Sequence, residues 1–347
     1  MDLFAGIGGI RLAFQMAFGS EIEFVFASEI YEPAIRVYEA NFGERPAGDI
    51  TKIPPDEVPD HDILLAGWPC QSFSMAGRKE GFRDPRGNLF FAISNILEAK
   101  RPYAFLLENV WYLKNHDRGR TFRTIMDILE GELGYTVYHD VLNAKYYGVP
   151  QNRPRIFIVG FREPIKFEFP PPSASVPKLS DILERNVPPK YYLSQRYLEG
   201  LKKHRERHEN KGHGFGYMVL DPDGVAHALV IGGMGRERNL VRDVVPPGAY
   251  KGPGDDPRKP NSEGIRRLTP RECARLMGFP DWFKLPVADT YAYRVLAESV
   301  AVPLVKKIAE RMKAAIEAGE LAGLSRYASD TNRRGVFRNA AGKGVQV

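Results

Sequence analysis

Cysteine is nearly absent from this chain: Cys70 and Cys273 are the only two in 347 residues. So sparse a supply excludes a disulfide framework and fits a reducing, cytoplasmic setting. Also lacking is any uninterrupted apolar run long enough to span a bilayer, so no membrane segment is expected. Met1 leads straight into "DLFAGIGGI" without a basic flank, so no secretory leader is expected there. There is no internal repeat, and no metal site is expected. Charge of one sign is not extreme either: 49 Lys and Arg against 43 Asp and Glu leave a net +6. That balance is compatible with a nucleic-acid partner without demanding one. What remains is a chain 43% hydrophobic, able to bury a full core in one large domain or two smaller ones.

The first part alternates apolar runs with amphipathic stretches. "EFVFASE", "HDILLAGWP", "YAFLLENV" and "RIFIVGF" read as short buried strands, nearly continuous in apolar character as a sheet covered on both faces requires. Between them, "YEPAIRVYEANFG" and "NLFFAISNILEAKRP" read as helices. This rhythm predicts an α/β fold with a doubly wound, mostly parallel sheet. Near Pro164 the texture changes. A proline-rich break, "FPPPSASVPK", precedes the basic run "RYLEGLKKHRERHENKGH" and glycine-rich pieces. This middle region reads as a smaller, loop-rich domain, its basic run a solvated helix face. "LTPRECARLMGFP" predicts a helix capped by Thr269, with Pro270 at its first position and Glu272 closing a capping box. Cys273 inside it reads as a small buried hydrophobe. A final helix, "VPLVKKIAERMKAAIEA", returns to the first domain, and a disordered tail is expected from Gly319.

In "DLFAGIGGIRLAF", Gly6, Gly8 and Gly9 allow a tight turn and close backbone approach to a ligand. Only Asp2, Leu3 and Phe4 separate this turn from Met1. The first strand is therefore expected to be short, or its lead-in to precede Met1. About twenty residues on, Glu29 ends a strand, where a carboxylate can take both hydroxyls of a ribose. The spacing supports an adenosine cofactor without identifying it. Arg11 stands where the third glycine of a dinucleotide fingerprint belongs.

Cys70, in "GWPCQSF", follows the strand "HDILLAG" at its carboxyl end, outside which ligands of open α/β sheets bind. Glu108 and Asn109 end "YAFLLEN" toward the same rim. Arg153 and Arg155, in "QNRPRIFIVG", begin another strand. A thiol, a carboxyl and two guanidiniums can thus meet beside the glycine turn.

Taken in order, "DLFAGIGGIRLAF", "GWPCQSFS", "ENV", "QNRPRIF" and "RRLTPRECARLMGFP" make the chain resemble the cytosine-5 DNA methyltransferase family, in particular its bacterial restriction-modification type. The resemblance runs from about Met1 to Arg311, loosely between Glu163 and Gly264, where such enzymes differ by target. It implies a catalytic domain of residues 1–165 plus 286–318, a target-recognition domain of 166–285 and a tail of 319–347. It implies the cofactor S-adenosyl-L-methionine, held by Phe4, Gly6, Ile7, Gly8, Gly9, Glu29, Ile30, Asp49, Ile50, Pro69, Leu89, Ser299 and Val300. It makes Cys70 the nucleophile that adds to carbon 6 of a flipped-out cytosine, so that carbon 5 attacks the methyl group. Glu108 would bond ring N3 and the exocyclic amine, Arg155 the O2, and Arg153 the supporting loop. In "QSFSMAGRKEGFRDPRGN", Gln71, Ser74, Arg78 and Arg86 would meet double-stranded DNA, with glycines for lid closure. The implied setting is the cytoplasm of a bacterial or archaeal cell, with a monomeric enzyme and a separately encoded restriction endonuclease as companion.

The chain departs from the family pattern where Gly-Asn-Ser-Val is usual and it reads "AESV", Ala297 to Val300. Ala228 likewise replaces a usual threonine. These residues support a second reading, a relative that binds DNA without turnover. Methylation of RNA is a third, though the chain lacks the second cysteine expected near that active site. A nicotinamide oxidoreductase is a fourth, and it leaves Cys70, Glu108 and Arg155 unexplained.

Overall fold

The computed structural model of the protein describes residues 1–69, 88–210, 216–231, 236–244 and 259–330. In chain order its first elements are β1 (Asp2–Leu3), α1 (Gly9–Phe18), β2 (Ala27–Ser28), α2 (Glu32–Phe42), β3 (Ile63–Gly67), α3 (Asn88–Lys100), β4 (Ala104–Val110), α4 (Arg120–Met126), β5 (Thr136–Asn143), β6 (Gln151–Asn152) and β7 (Pro154–Phe161). Six strands form one sheet in the order β2-β1-β3-β4-β7-β5. The first four are mutually parallel, whereas β7 runs antiparallel to both β4 and β5. The chain moves from β1 outward to β2 on one side and to β3 on the other, so a topological switch point lies at β1, beside the glycine turn.

Both faces of the sheet are covered, which is why its strands read as continuous apolar runs. Ala104 and Leu106 of β4 and Phe157, Val159 and Phe161 of β7 enter one core with α1. Phe105, Leu107, Ile156 and Ile158 enter the other, with α3 and α4. The run "EFVFASE" yields only a two-residue strand, because β2 is an edge strand paired to an equally short β1. The missed strand is β5, at the opposite edge. Its half-exposed, polar sequence "TVYHDVLN" lacks the apolar run that marks its neighbours.

The rest comprises α5 (Gln195–Glu209), β8 (Ala226–His227), β9 (Leu240–Arg242), β10 (Ile265–Arg267), α6 (Pro270–Leu276), α7 (Asp289–Glu298) and α8 (Val302–Asp330). Leu193, Leu198, Leu201, Leu240 and Ile265 form a small separate core, which α5 seals with two leucines while its basic face stays in water. The cap of α6 is as the sequence indicates: Thr269 and Glu272 bond reciprocally, and Pro270 leads the helix. Cys273 is buried, and α6 packs into the main core with Phe279 and Phe283. Glu272 does more than cap. It is fully buried and takes both Arg266 guanidinium nitrogens at 2.8 Å. Helix α8 runs through Gly319, where a disordered tail was expected to begin, as far as Asp330. A glycine inside a helix costs only about 1 kcal/mol, and here a Cβ would meet Ile165 at 2.9 Å.

Candidate active site

The glycine turn leaves β1 and enters α1 at the switch point. Phe4 and Gly6 are held at positive φ, 53° and 56°, and Gly8 caps α1 in the left-handed region. A non-glycine residue in that region stores strain of about 1–3 kcal/mol, found mostly where function requires it. A Cβ on Gly8 would sit 2.2 Å from the Phe42 ring, and one on Gly9 2.6 Å from Ser299 Oγ. At Gly6, by contrast, a Cβ would meet nothing within 4 Å, so the turn borders open space. Ser299 Oγ is buried with no hydrogen-bond partner among the described residues. A close-packed turn with one open glycine and one orphaned hydroxyl fits a polar ligand laid across it.

Arg11 shows why the third glycine is dispensable. Its guanidinium lies 4.7 Å from the Phe24 ring and 4.5 Å from the Phe42 ring, donates to Tyr38 Oη at 2.7 Å and pairs with Glu44. An aromatic box takes the place of close helix–strand contact.

Glu29 follows β2. Its carboxylate accepts from the backbone N–H of Gly6, Ile30 and Tyr31, each at 2.8 Å. Three bonds fix the carboxylate and the turn together, with one acceptor site left, on Oε2, for a ribose hydroxyl. Ile30 is 70% exposed, a large apolar surface beside the site. Asp49 caps the short turn after it, accepting from Thr51 N at 3.1 Å and Thr51 Oγ1 at 2.7 Å, with Lys52 at 3.4 Å. The Thr51 hydroxyl above all holds its carboxyl below the usual range. Ile50 and Ile7 are buried in the cores, so Ile7 can face a ligand only through its backbone. Leu89 is half-buried and Pro69 exposed. Val300 is buried and, with Ser299, abuts Gly9.

Glu108 stands at the carboxyl end of β4, in register with Gly67 of β3 and Phe157 of β7. A Cβ on Gly67 would lie 3.5 Å from Glu108 Oε2, so the glycine keeps that side clear. Arg155 Nε lies 3.2 Å from Glu108 Oε1, with both side chains mostly buried. Burial pushes the Glu108 carboxyl above its usual range, against the pull of Arg155 and then Arg153. A carboxyl raised in this way holds its proton more readily than an exposed one, as a group that exchanges a proton with a base requires. Next along, Asn109 donates to Trp68 O at 2.9 Å, pinning the chain two residues before Cys70.

Arg153 is placed differently from Arg155. It is 2% exposed and donates to three carbonyls: Ala297 O at 2.9 Å, Ser299 O at 2.6 Å and Leu229 O at 3.2 Å. Burial, then the like charge of Arg155, pushes its guanidinium down to about 9, still protonated at neutral pH. It thus ties the Ser299 segment to the Leu229 segment. Sequence reading missed its neighbour Gln151, fully buried, which donates to Leu276 O at 2.8 Å and accepts from Leu229 N. The signal was present in "QNRPR", where a buried amide joins the two arginines. Also missed was Asp2, fully buried, its carboxylate oxygens without hydrogen-bond partners among the described residues.

Cys70, Gln71, Ser74, Arg78 and Arg86 lie outside the described residues. Glu298 pairs with Arg294 at 3.3 Å, and Arg294 lies 4.2 Å over the Tyr31 ring. The charge of Glu29 reaches Glu298 and, after burial, helps push its carboxyl up. No group of three or more potential metal ligands occurs among the described residues. No helix there is long and apolar enough to cross a membrane.

Fold and site together define an α/β enzyme with a nucleotide-type turn at its switch point and a buried carboxyl–guanidinium pair beside it. The family model for C-5 cytosine-specific DNA methylases matches residues 1–314. Type II methyltransferase M.HpaII of Haemophilus parainfluenzae is 50% identical over 328 residues, covering 90% of this chain and 89% of its own. M.NlaX of Neisseria lactamica is 45% identical over 320 residues, covering 92% and 97%. In fold, the Entamoeba histolytica methyltransferase EhMeth superposes with a TM-score of 0.71 at 18% identity, over 89% of this chain and 96% of its own. The chain belongs to the C-5 cytosine-specific DNA methylase family and is a DNA cytosine-5 methyltransferase.

Proposed function

We propose that this enzyme transfers the methyl group of S-adenosyl-L-methionine to a flipped-out cytosine in one duplex DNA sequence, through a covalent bond from Cys70 to carbon 6. The observation that carries the reading is the Glu108–Arg155 pair, buried at the carboxyl end of β4 and in register with Gly67, three residues before Cys70. The cofactor supplies an electrophilic methyl sulfonium. Phe4, Gly6, Gly8 and Gly9 shape its bed, with Ile7 through its backbone. Glu29 takes the ribose, Ile30, Asp49, Pro69 and Leu89 surround the adenine, with Ile50 through its backbone, and Ser299 and Val300 close the far end. The open space at Gly6 and the orphaned Ser299 hydroxyl support this fit.

Glu108 bonds N3 and the exocyclic amine of the base, and Arg155 its O2. As the thiolate adds to carbon 6, the raised Glu108 carboxyl shares its proton with N3 and stabilises the enamine from which carbon 5 attacks. The arginines favour the Cys70 thiolate, whose ordinary pKa of about 8.5 leaves it mostly protonated. Water then removes the proton from carbon 5, and the thiolate leaves. Arg153 positions rather than touches: its bonds hold the Ser299 segment. Gln71, Ser74, Arg78 and Arg86 contact the duplex, repaying the few kcal/mol that flipping costs. Residues 166–285 read the target, and residues 1–165 with 286–318 form the catalytic domain. A separately encoded endonuclease as companion belongs to this reading, as do a monomeric enzyme and action in the cytoplasm; the relatives' names, type II methyltransferases, bear on the first alone.

The test is transfer of radiolabelled methyl to duplex DNA and, in parallel, to RNA, followed by base analysis. Labelled 5-methylcytosine in DNA alone is expected. Label in RNA alone, or in neither with folded protein, overturns the reading.

A further inference from the structure

The nine residues after β4, Trp111–Gly119, begin one residue past Val110, so they extend the rim that carries Glu108. They form an unusual surface. Trp111 is 45% exposed and Tyr112 56%, their rings edge to face with centroids 6.0 Å apart. Leu113, 2% exposed, anchors the segment beneath them. Lys114 and Arg118 are exposed and make no ion pair among the described residues. Asp117, Arg118 and Gly119 follow one another at positive φ, 49°, 56° and 80°. Two consecutive non-glycine residues in that region are strained, and such strain persists where surrounding structure and function require it. A monomeric surface gains nothing from leaving an indole and a phenol side by side in water.

We propose that Trp111 and Tyr112 form a stacking ledge for the DNA next to the flipped cytosine, with Lys114 and Arg118 on its phosphates. The assignment rests on the reading that the base sits at Glu108. Continuity with that rim, aromatic rings beside exposed cations and a fixed turn match the chemistry of a nucleic-acid backbone with unstacked bases. Flipping one base removes a stacking partner from its neighbours, and a rigid aromatic pair replaces it. No residue in the ledge reads sequence, so it serves every site the enzyme methylates.

Duplex binding is measured with full-length enzyme in the presence of S-adenosylhomocysteine, using the site mapped by methylation sequencing. W111A and Y112A are each expected to raise Kd about tenfold, the order of one lost aromatic–base stack, with the KM for S-adenosylmethionine unchanged. W111F should recover most of the W111A loss. The K114A/R118A double variant should reduce the slope of log K against log salt by about two, one per phosphate contact. Wild-type Kd and slope in all these variants, in an enzyme that methylates DNA, overturn the ledge while leaving the site at Glu108 standing. A wild-type enzyme that neither binds nor methylates duplex DNA overturns both. If W111A fails to bind S-adenosylhomocysteine, its fold is lost, and Y112A with K114A/R118A decides the matter.

Discussion

Glu298→Asn should tighten cofactor binding, and the structure sets how much. Glu298 sits at the end of α7, one residue before Ser299, half-buried, with Arg294 at 3.3 Å. Its carboxylate is near enough to Glu29 to feel that charge. The cofactor brings a further carboxylate at its methionine end. Two like charges 4 Å apart repel by about 1 kcal/mol in water and about 4 kcal/mol at an effective dielectric of 20. Glu298's side chain is 38% exposed and its charge is offset by Arg294, so the lower figure applies. Removing about 1 kcal/mol of repulsion lowers Kd roughly fivefold, and Arg294 is released to attract the cofactor's carboxylate. The pH dependence follows from the direction of the shift. Burial first, and Glu29 after it, raise the Glu298 carboxyl above its ordinary value. Its charge therefore disappears as the pH falls through that raised value, and the wild type should bind more tightly at the acid end. Titration calorimetry with S-adenosylhomocysteine between pH 5 and 8 checks both points. Equal affinity of wild type and variant, with equal pH profiles, would refute the reasoning and show that Glu298 does not act on the cofactor site.

Cys70→Ser should abolish methyl transfer in the radiolabel assay while duplex binding by gel shift stays near wild type. Glu108→Gln, which keeps the shape but not the proton, should lower kcat at least about a hundredfold, with little change in the cofactor's KM. Arg153→Lys should raise that KM about tenfold with a smaller effect on kcat, because buried carbonyls left without a donor cost about 1–3 kcal/mol each; steady-state kinetics separate the two. Glu272→Gln breaks a pair in which Arg266 is 1% exposed and Glu272 0%, and should cost about 3–5 kcal/mol, read by urea unfolding. Burial pushes the Asp2 carboxyl up to about 7, so its ionisation disfavours the folded state. Asp2→Asn should therefore gain stability over wild type as pH rises from about 4 to 7 and hold that gain above it, the unfolded carboxyl titrating near 3.9.

The sequence by itself determined the alternation of elements, the glycine turn, the cap of α6 and the ordered motifs that carry the family. These are local facts. A glycine at positive φ, a Thr–Pro–x–Glu cap or an apolar strand buried on both faces is legible because its cause lies within a few residues. The positions of Glu29, Glu108 and Arg155 at strand ends were legible for the same reason, each standing at the end of an apolar run.

Only the tertiary structure decided what depends on distant partners. Arg153 and Arg155 are two residues apart, yet Arg155 stands within β7 and meets Glu108, whereas Arg153 lies between β6 and β7 and donates to carbonyls some 76 to 146 positions away. Arg11 replaces an expected glycine because three aromatic rings from α2 and its surroundings close around it. Strand β5 pairs on one side only, so pairing with β7 rather than an apolar pattern makes it a strand. Inside α8, position 319 packs so closely on Ile165 that a Cβ there would meet it at 2.9 Å. Each outcome is a close approach between segments far apart in the chain, and a one-dimensional pattern contains no term for it.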